Sequence, residues 1–320
     1  MKETIESPLI SIIIPCYNHE AYVGDCIKSV IAQDYENIEI LVCDDCSTDN
    51  SWEILNAQCS DMTRRFERVL LHRNDVNHGL TKTLNWLIDM SKGKYIKLLA
   101  SDDAILPNCI STFANEFSKR VDADILICNG IVVQEEDRYP MSENSEKIYL
   151  SAPDLTKDTL FKNLYCNNYI FAPGVMVKSG IYKYLGKYDE HIQIEDWDYW
   201  LRAALDPEIG FGYIDSPLVY YRKNKGSMTS LAANKQLEKR RMRIHEAEMA
   251  ILDKYKDKVE EELYAKNKIQ RLEGEYVIAK RFNLKKLKKI IRKEFGNSKL
   301  WEYMGLKKKI KVMLYILFGL

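Results

Sequence analysis

The chain has 320 residues, 46% of them hydrophobic and 29% charged, with 14 Gly and 8 Pro. That length suggests about two domains, or one large domain with an appendage, and the composition excludes a disordered, collagen-like or low-complexity chain. The 47 basic and 47 acidic side chains cancel, but unevenly: residues 281–320 hold twelve Lys or Arg and two Glu, a net +10, which leaves −10 on the remainder.

Leu9 to Ile14 is a short apolar run stopped by Pro15, the pattern of a strand buried on both faces. A helix is expected from Ala21 to Gln33, then a strand over Ile38–Cys43 and a helix over Ser51–Gln58. Strands at Arg68–His72 and Tyr95–Leu99 flank a helix over Leu80–Ser91, and Asp124–Val133 adds another strand. This alternation predicts an α/β fold with a mainly parallel central sheet. After Pro217 there is no proline for 103 residues and charge dominates from Lys235 to Lys280. Long helices are expected there, giving an α/β domain over residues 1–230 and a helical region over 231–320, with the boundary near Gly226–Asn234.

The eight Cys are scattered, and Cys43-Asp44-Asp45-Cys46 is the only CxxC. Without a second pair it does not complete a zinc site, so reduced, buried thiols in the cytoplasm are expected. The first ten residues carry Glu3 and Glu6 and lack the form of a secretory signal, and no apolar run is long enough to span a membrane.

In open α/β sheets ligands bind beyond the carboxyl ends of the strands. The early strands end in Pro15-Cys16-Tyr17-Asn18, in Asp44-Asp45-Cys46-Ser47-Thr48-Asp49 and in Ser101-Asp102-Asp103. Two acidic pairs at equivalent strand ends repel unless a cation compensates, and carboxylates suit Mg²⁺ or Mn²⁺. On spacing alone a metal site at Asp102-Asp103 and simple turn capping both stand. No G-x-G-x-x-G follows the first strand, and Gly180–Lys187 fails as a phosphate loop in both spacing and terminal residue. Glu195-Asp196-Trp197-Asp198 leads into an aromatic helical stretch; capping is the simpler reading there, and a general base is the functional one.

In this order the segments resemble the family 2 glycosyltransferases, inverting enzymes of GT-A fold. The resemblance covers residues 9–230 and rests on Ile10–Asn18, Ser29, Gln33, Asp44–Asp49, Asn77-His78-Gly79-Leu80 with Asn85, and Gly93–Ile96. Ser101–Asp103, Glu195-Asp196 with Trp200 and Arg202, and Tyr221-Arg222 complete it. It implies a nucleotide-sugar donor, with Asp45 reading a uracil-type base, Pro15 and Tyr17 lining the nucleoside pocket and Asp102 near ribose and sugar. Asp103 would hold Mn²⁺ or Mg²⁺, and Asp196, with Glu195 as its rival, would deprotonate the acceptor hydroxyl. Arg222 and Lys225 are weaker donor contacts. Ala100 and Cys46 depart from the family's commoner Asp and Gly, and the usual His is missing after Arg222.

Leu284, Leu287, Ile291 and Phe295 recur at helical spacing among lysines and arginines. This is a basic amphipathic helix, followed by Lys307–Lys309, Lys311 and an apolar end over Val312–Phe318. It is expected to place the protein peripherally on the inner face of the cell membrane through residues 281–320; the alternative is that its apolar face packs on the catalytic domain while its lysines stay solvated. The family resemblance implies a glycan or lipid-linked acceptor for a bacterial surface polysaccharide. No nucleic-acid-binding module accompanies the charge. The competing readings are a sugar-phosphate nucleotidyltransferase and a non-catalytic membrane-associated assembly protein.

Overall fold

The structure is a computed structural model and describes residues 7–141, 153–225, 230–231, 236–296, 298–305, 308–309 and 311–313. It contains two compact units: Met1–Glu190 with Glu195–Asn224, and Lys225–Leu320 with His191–Ile194.

The first unit begins β1 (Ile10–Cys16), α1 (Val23–Ile31), β2 (Ile38–Asp44), α2 (Ser51–Ala57), α3 (Cys59–Arg65), β3 (Arg68–Arg73), α4 (Leu80–Met90) and β4 (Tyr95–Leu98). It continues with β5 (Ala104–Ile105), α5 (Cys109–Lys119), β6 (Ile125–Gln134), α6 (Lys157–Cys166), β7 (Val175–Lys178), α7 (Ser179–Tyr184), α8 (Glu195–Leu205) and β8 (Phe211–Lys223). The eight strands form one sheet in the order β3-β2-β1-β4-β7-β6-β8-β5. From β3 to β4 every pairing is parallel. Beyond it the sheet is mixed: β7 runs against both β4 and β6, while β8 is parallel to β6 and antiparallel to β5.

Every residue of β1 and β2 is buried, as their Ile- and Val-rich runs require of strands covered on both faces. Two polar residues within them are satisfied locally. The Ser11 hydroxyl donates to Glu39, which also accepts from the amides of Lys92 at 2.5 Å and Gly93 at 3.1 Å and pairs with Arg68. Only glycine fits at position 93, since a Cβ there would lie 2.5 Å from Ser11 Oγ and 2.6 Å from Ser11 N. Lys97, fully buried on β4, donates to the carbonyls of Leu98 (3.0 Å), Val175 (3.2 Å) and Pro173. It thereby ties the turn at 172–174 to the middle of the sheet, although burial lowers its pKa.

Sequence periodicity misses β5, β7 and β8. The first two are short, and β8 passes through Pro217, which sits where its register with β6 shifts beside Asn129. A residue with no N–H to donate fits such an irregularity.

The second unit is helical: α9 (Leu237–Lys254), α10 (Glu261–Arg281), α11 (Lys285–Phe295) and α12 (Ser298–Glu302). Residues 226–229 and 232–235 of the expected boundary lie outside the described residues. Arg241 pairs with Glu275, Arg271 with Glu248 at 2.8 Å, and His245 with Glu294 at 3.1 Å, linking α9 to α10 and α11. Here one expectation is corrected. Leu287, Ile291 and Phe295 are fully buried, and α11 packs on α9 and α10, so its apolar stripe does not face outward to a membrane. Burying each of those side chains contributes about 1.5–3 kcal/mol, which insertion into a bilayer surface would first have to give up. Lys285, Lys286, Lys289 and Lys293 remain exposed. Lys307 and Leu314–Phe318 lie outside the described residues. No helix among the described residues is long and apolar enough to cross a membrane.

Candidate active site

The parallel register sets Pro15 and Cys16 of β1 beside Cys43 and Asp44 of β2, so the first two polar segments leave the sheet together. Asn18 locks them. Its amide donates to Ser47 Oγ at 2.9 Å, and its Oδ1 accepts from the amide and hydroxyl of Thr48 at 2.8 and 3.2 Å. Pro15 is buried, whereas Tyr17 is 44% exposed at the mouth of this junction.

The acids of the second segment divide by role. Asp44 is fully buried and accepts from the Ser47 amide, with Arg73 Nε 3.4 Å away. Asp49 accepts from Ser51 N and Oγ at the start of α2 and from the Glu20 amide. Burial alone would raise its pKa, but these hydrogen bonds hold it below the usual carboxylate range. Asp45 is 3% exposed and clasps the next loop: Oδ1 accepts from Asn74 Nδ2 and the His78 amide, and Oδ2 from the Gly79 amide, all at 2.8 Å. Gly79 has φ +89°, a conformation glycine adopts without steric cost. A carboxylate offers about four acceptor positions, and three donors from the chain's own loop already point at Asp45. Its first function is therefore to hold residues 74–79 in place.

The third segment joins the first through His19, whose Nδ1 lies 2.8 Å from Ser101 Oγ and 4.0 Å from Asp102 Oδ1. Asp102 Oδ2 accepts from Asn224 Nδ2 at 2.7 Å. Asp103 is 2% exposed and its Oδ1 accepts from the Arg222 amide at 2.8 Å. Burial, reinforced by the neighbouring Asp102 charge, pushes the Asp103 carboxyl well above its ordinary range. Two adjacent oxygen donors, one of them destabilised as an anion, suit a hard divalent cation that shares its remaining positions with phosphate and water. Among the described residues no group of three or more His, Cys, Asp or Glu is poised to hold a metal.

Arg222 departs from expectation. Its side chain is 1% exposed: Nε donates to the Asp102 carbonyl (3.0 Å), Nη1 to the carbonyls of Gln134 (3.1 Å) and Asp137, and Nη2 lies 3.5 Å from Asp25. A guanidinium so engaged positions the Asp102-Asp103 turn. Lys225 is exposed and falls in the second unit.

Glu195 and Asp196 open α8, whose Trp197, Tyr199 and Trp200 are core residues; Trp197 Nε1 donates to the Leu164 carbonyl at 2.7 Å. Both carboxylates line a cavity of about 40 Å³ with Ile96 and Leu98 of β4, Val175 and Val177 of β7, Tyr188 and Trp200. They thus lie against the strand that leads to Asp102-Asp103. Asp196 Oδ1 accepts from the Trp197 amide at 2.7 Å, and Oδ2 from Asn168 Nδ2 at 3.3 Å. Burial raises both acids, and the Asp196 charge helps to carry Glu195 up to about 8.

Asn74, Asn168, Asn224 and His19 escape sequence reasoning as site residues. Only His19 and Asn224 adjoin a recognisable motif, and asparagines that position acids through single hydrogen bonds leave no periodic or charge signal.

A family model, Glycosyl transferase family 2, matches residues 11–176, just over half of the chain. The chain belongs to this family. It is therefore a glycosyltransferase. An uncharacterized glycosyltransferase of Rickettsia typhi is 29% identical over 74% of this chain and 71% of its own length. The putative colanic acid biosynthesis glycosyl transferase WcaA of Escherichia coli is 34% identical over 45% of this chain and 53% of its own. Among solved structures, Staphylococcus aureus TarS 1-349 in complex with UDP-GlcNAc matches with a TM-score of 0.54 at 17% identity, over 86% of this chain and 83% of that one. That likeness establishes the fold, which is GT-A.

Proposed function

We propose that this family 2 glycosyltransferase moves a sugar from a UDP-linked donor to a hydroxyl of a glycan or lipid-linked acceptor, with inversion at the anomeric carbon. One observation carries the reading: the polar ends of β1, β2 and β4 are bonded into a single surface through Asn18, Ser47, His19 and Ser101, with Asp196 set against β4. The UDP-GlcNAc complex of TarS supports a UDP-linked donor, and the relative named for colanic acid supports polysaccharide synthesis as the setting.

In this reading Pro15 and the exposed Tyr17 ring flank the nucleoside. Asp45 fixes the 74–79 loop and directs its remaining acceptor position to the N3–H of the base. Asp102, steadied by Asn224, faces the ribose and sugar, and Asp103 with Asp102 would hold Mn²⁺ or Mg²⁺. Such an ion would neutralise charge on the departing diphosphate. Asp196 removes the proton from the acceptor hydroxyl as its oxygen attacks the anomeric carbon, and Asn168 keeps the carboxylate oriented. Because one displacement suffices, no enzyme nucleophile is required. Burial and the neighbouring Asp196 charge push Glu195 up to about 8, which favours its protonated form at neutral pH and makes it the poorer base. The exposed lysines of α11 supply a basic face for the anionic inner leaflet, acting by charge and without insertion.

Thermal unfolding across a panel of nucleotide sugars, with and without Mn²⁺, tests the donor assignment. At least one UDP-sugar should stabilise the wild type in a Mn²⁺-dependent manner, and Asp103→Ala should abolish that dependence. Stabilisation by no nucleotide sugar would remove the basis of the reading.

A further inference from the structure

The helical unit holds a cleft of about 520 Å³ that the transfer chemistry does not use. Its wall combines three kinds of side chain. Tyr264 on α10 and Tyr303 just after α12 contribute half-buried rings, Asp257 and Glu261 contribute carboxylates, and Lys256 and Lys299 contribute ammonium groups. A further wall residue, Lys268, is held rigidly, with Nζ 3.3 Å from Asp253 Oδ1 and 3.2 Å from Tyr264 Oη, while that hydroxyl donates to Asp253 at 2.7 Å. The Tyr264 ring is thus fixed in orientation before any ligand arrives.

We propose that this cleft binds an acidic saccharide, a sugar unit carrying a phosphate or carboxylate. The volume is in the range of small-molecule sites, about 300–1,000 Å³. An apolar lining alone would suit a hydrophobic ligand, and lysines alone would suit any anion. The combination is selective: tyrosine rings take the C–H face of a pyranose, carboxylates accept from its hydroxyls, and lysines pair with its anionic group. The surrounding unit reinforces the sign, since residues 225–320 carry 25 Lys or Arg against 12 Asp or Glu, a net +13.

The ligand class rests on the glycan-transfer reading, but occupancy of the cleft does not depend on catalysis. The same chemistry could be presented by a growing acidic glycan or by the sugar-phosphate head of a lipid-linked one. A held saccharide would raise the local concentration of acceptor chain through the covalent link between the units, without a new contact at the catalytic centre.

Calorimetric titration of the full chain with glucose 1-phosphate, glucuronate, glucose and inorganic phosphate tests the proposal directly. Glucose 1-phosphate and glucuronate should bind at least tenfold more tightly than glucose or phosphate, and the double variant Lys256→Glu, Lys299→Glu should lose that binding. The melting temperature of the double variant separates lost binding from lost folding, and Tyr303→Ala provides a second, charge-neutral disruption. Binding of phosphate equal to that of glucose 1-phosphate, or no binding of either acidic sugar, overturns the proposal. Displacement of bound glucose 1-phosphate by vesicles of phosphatidylglycerol, which bear no sugar, would replace the saccharide with a lipid surface. None of these outcomes bears on donor binding, so the two readings fail separately.

Discussion

The two units are electrostatic opposites. Residues 225–320 carry +13, and the rest of the chain carries −13. In the catalytic unit many acids are buried and held by hydrogen bonds at strand ends, where each is given a fixed direction. In the helical unit much of the excess charge is exposed lysine, such as Lys285, Lys286, Lys289 and Lys293, which acts at long range and is screened by salt. The same residue classes are thus set differently: buried and individually hydrogen-bonded in one unit, largely exposed in the other. A substitution in the first should change one step sharply, and a substitution in the second should change an affinity by degrees.

The largest effect is expected at Asp196. Asp196→Asn should leave the thermal shift with donor intact while lowering kcat by about 10²–10⁴-fold, the range for removal of a general base; unchanged turnover would assign the base elsewhere. Next is Arg222→Met, which leaves the buried Asp25 carboxylate without its partner and removes the donors to three carbonyls. A loss of about 3–5 kcal/mol of stability is expected from denaturant unfolding, whereas Lys225→Met should cost little.

The acid pair on α8 makes a smaller, pH-dependent prediction. Glu195 has a folded pKa raised from 4.5 to about 8, so the folded state binds its proton more tightly than the unfolded one. The resulting stabilisation is complete below pH 4.5 and is lost as pH rises towards 8. Glu195→Gln should remove that decline, seen as a flatter melting temperature between those limits; an unaltered slope would show that Glu195 is not its source. The smallest effect belongs to the helical unit: reversing Lys285, Lys289 and Lys293 to Glu should weaken sedimentation with anionic vesicles at low salt and leave donor binding untouched.

Much of the catalytic unit was legible in the sequence because its signals are local. The Ile-rich run at 10–14 and the alternation of strand and helix place β1 to β4 within a residue or two, although β1 runs on through Pro15, expected as its stop, to Cys16. Asp45, Asp102 and Asp103 draw notice as acids paired at strand ends, whereas Asp196, which reads first as helix capping, is singled out by the family resemblance. What could not be read is the direction of each side chain. Arg222 is a weak donor contact by resemblance, and its internal bonding is not legible, because burial of a guanidinium depends on where the carbonyls of Gln134, at the end of β6, and Asp137, in the turn beyond it, arrive. The apolar stripe of α11 was visible, but its partner was not: helical periodicity shows that a face must be covered, never by what.

The most direct test of the central claim is the stereochemistry of donor turnover. Wild-type protein with Mn²⁺ and an α-linked UDP-sugar, with water as acceptor, should release the β anomer first, as followed by proton NMR before mutarotation. First release of the α anomer would contradict a single inverting displacement, and absence of turnover with every UDP-sugar in the panel would contradict the donor assignment itself.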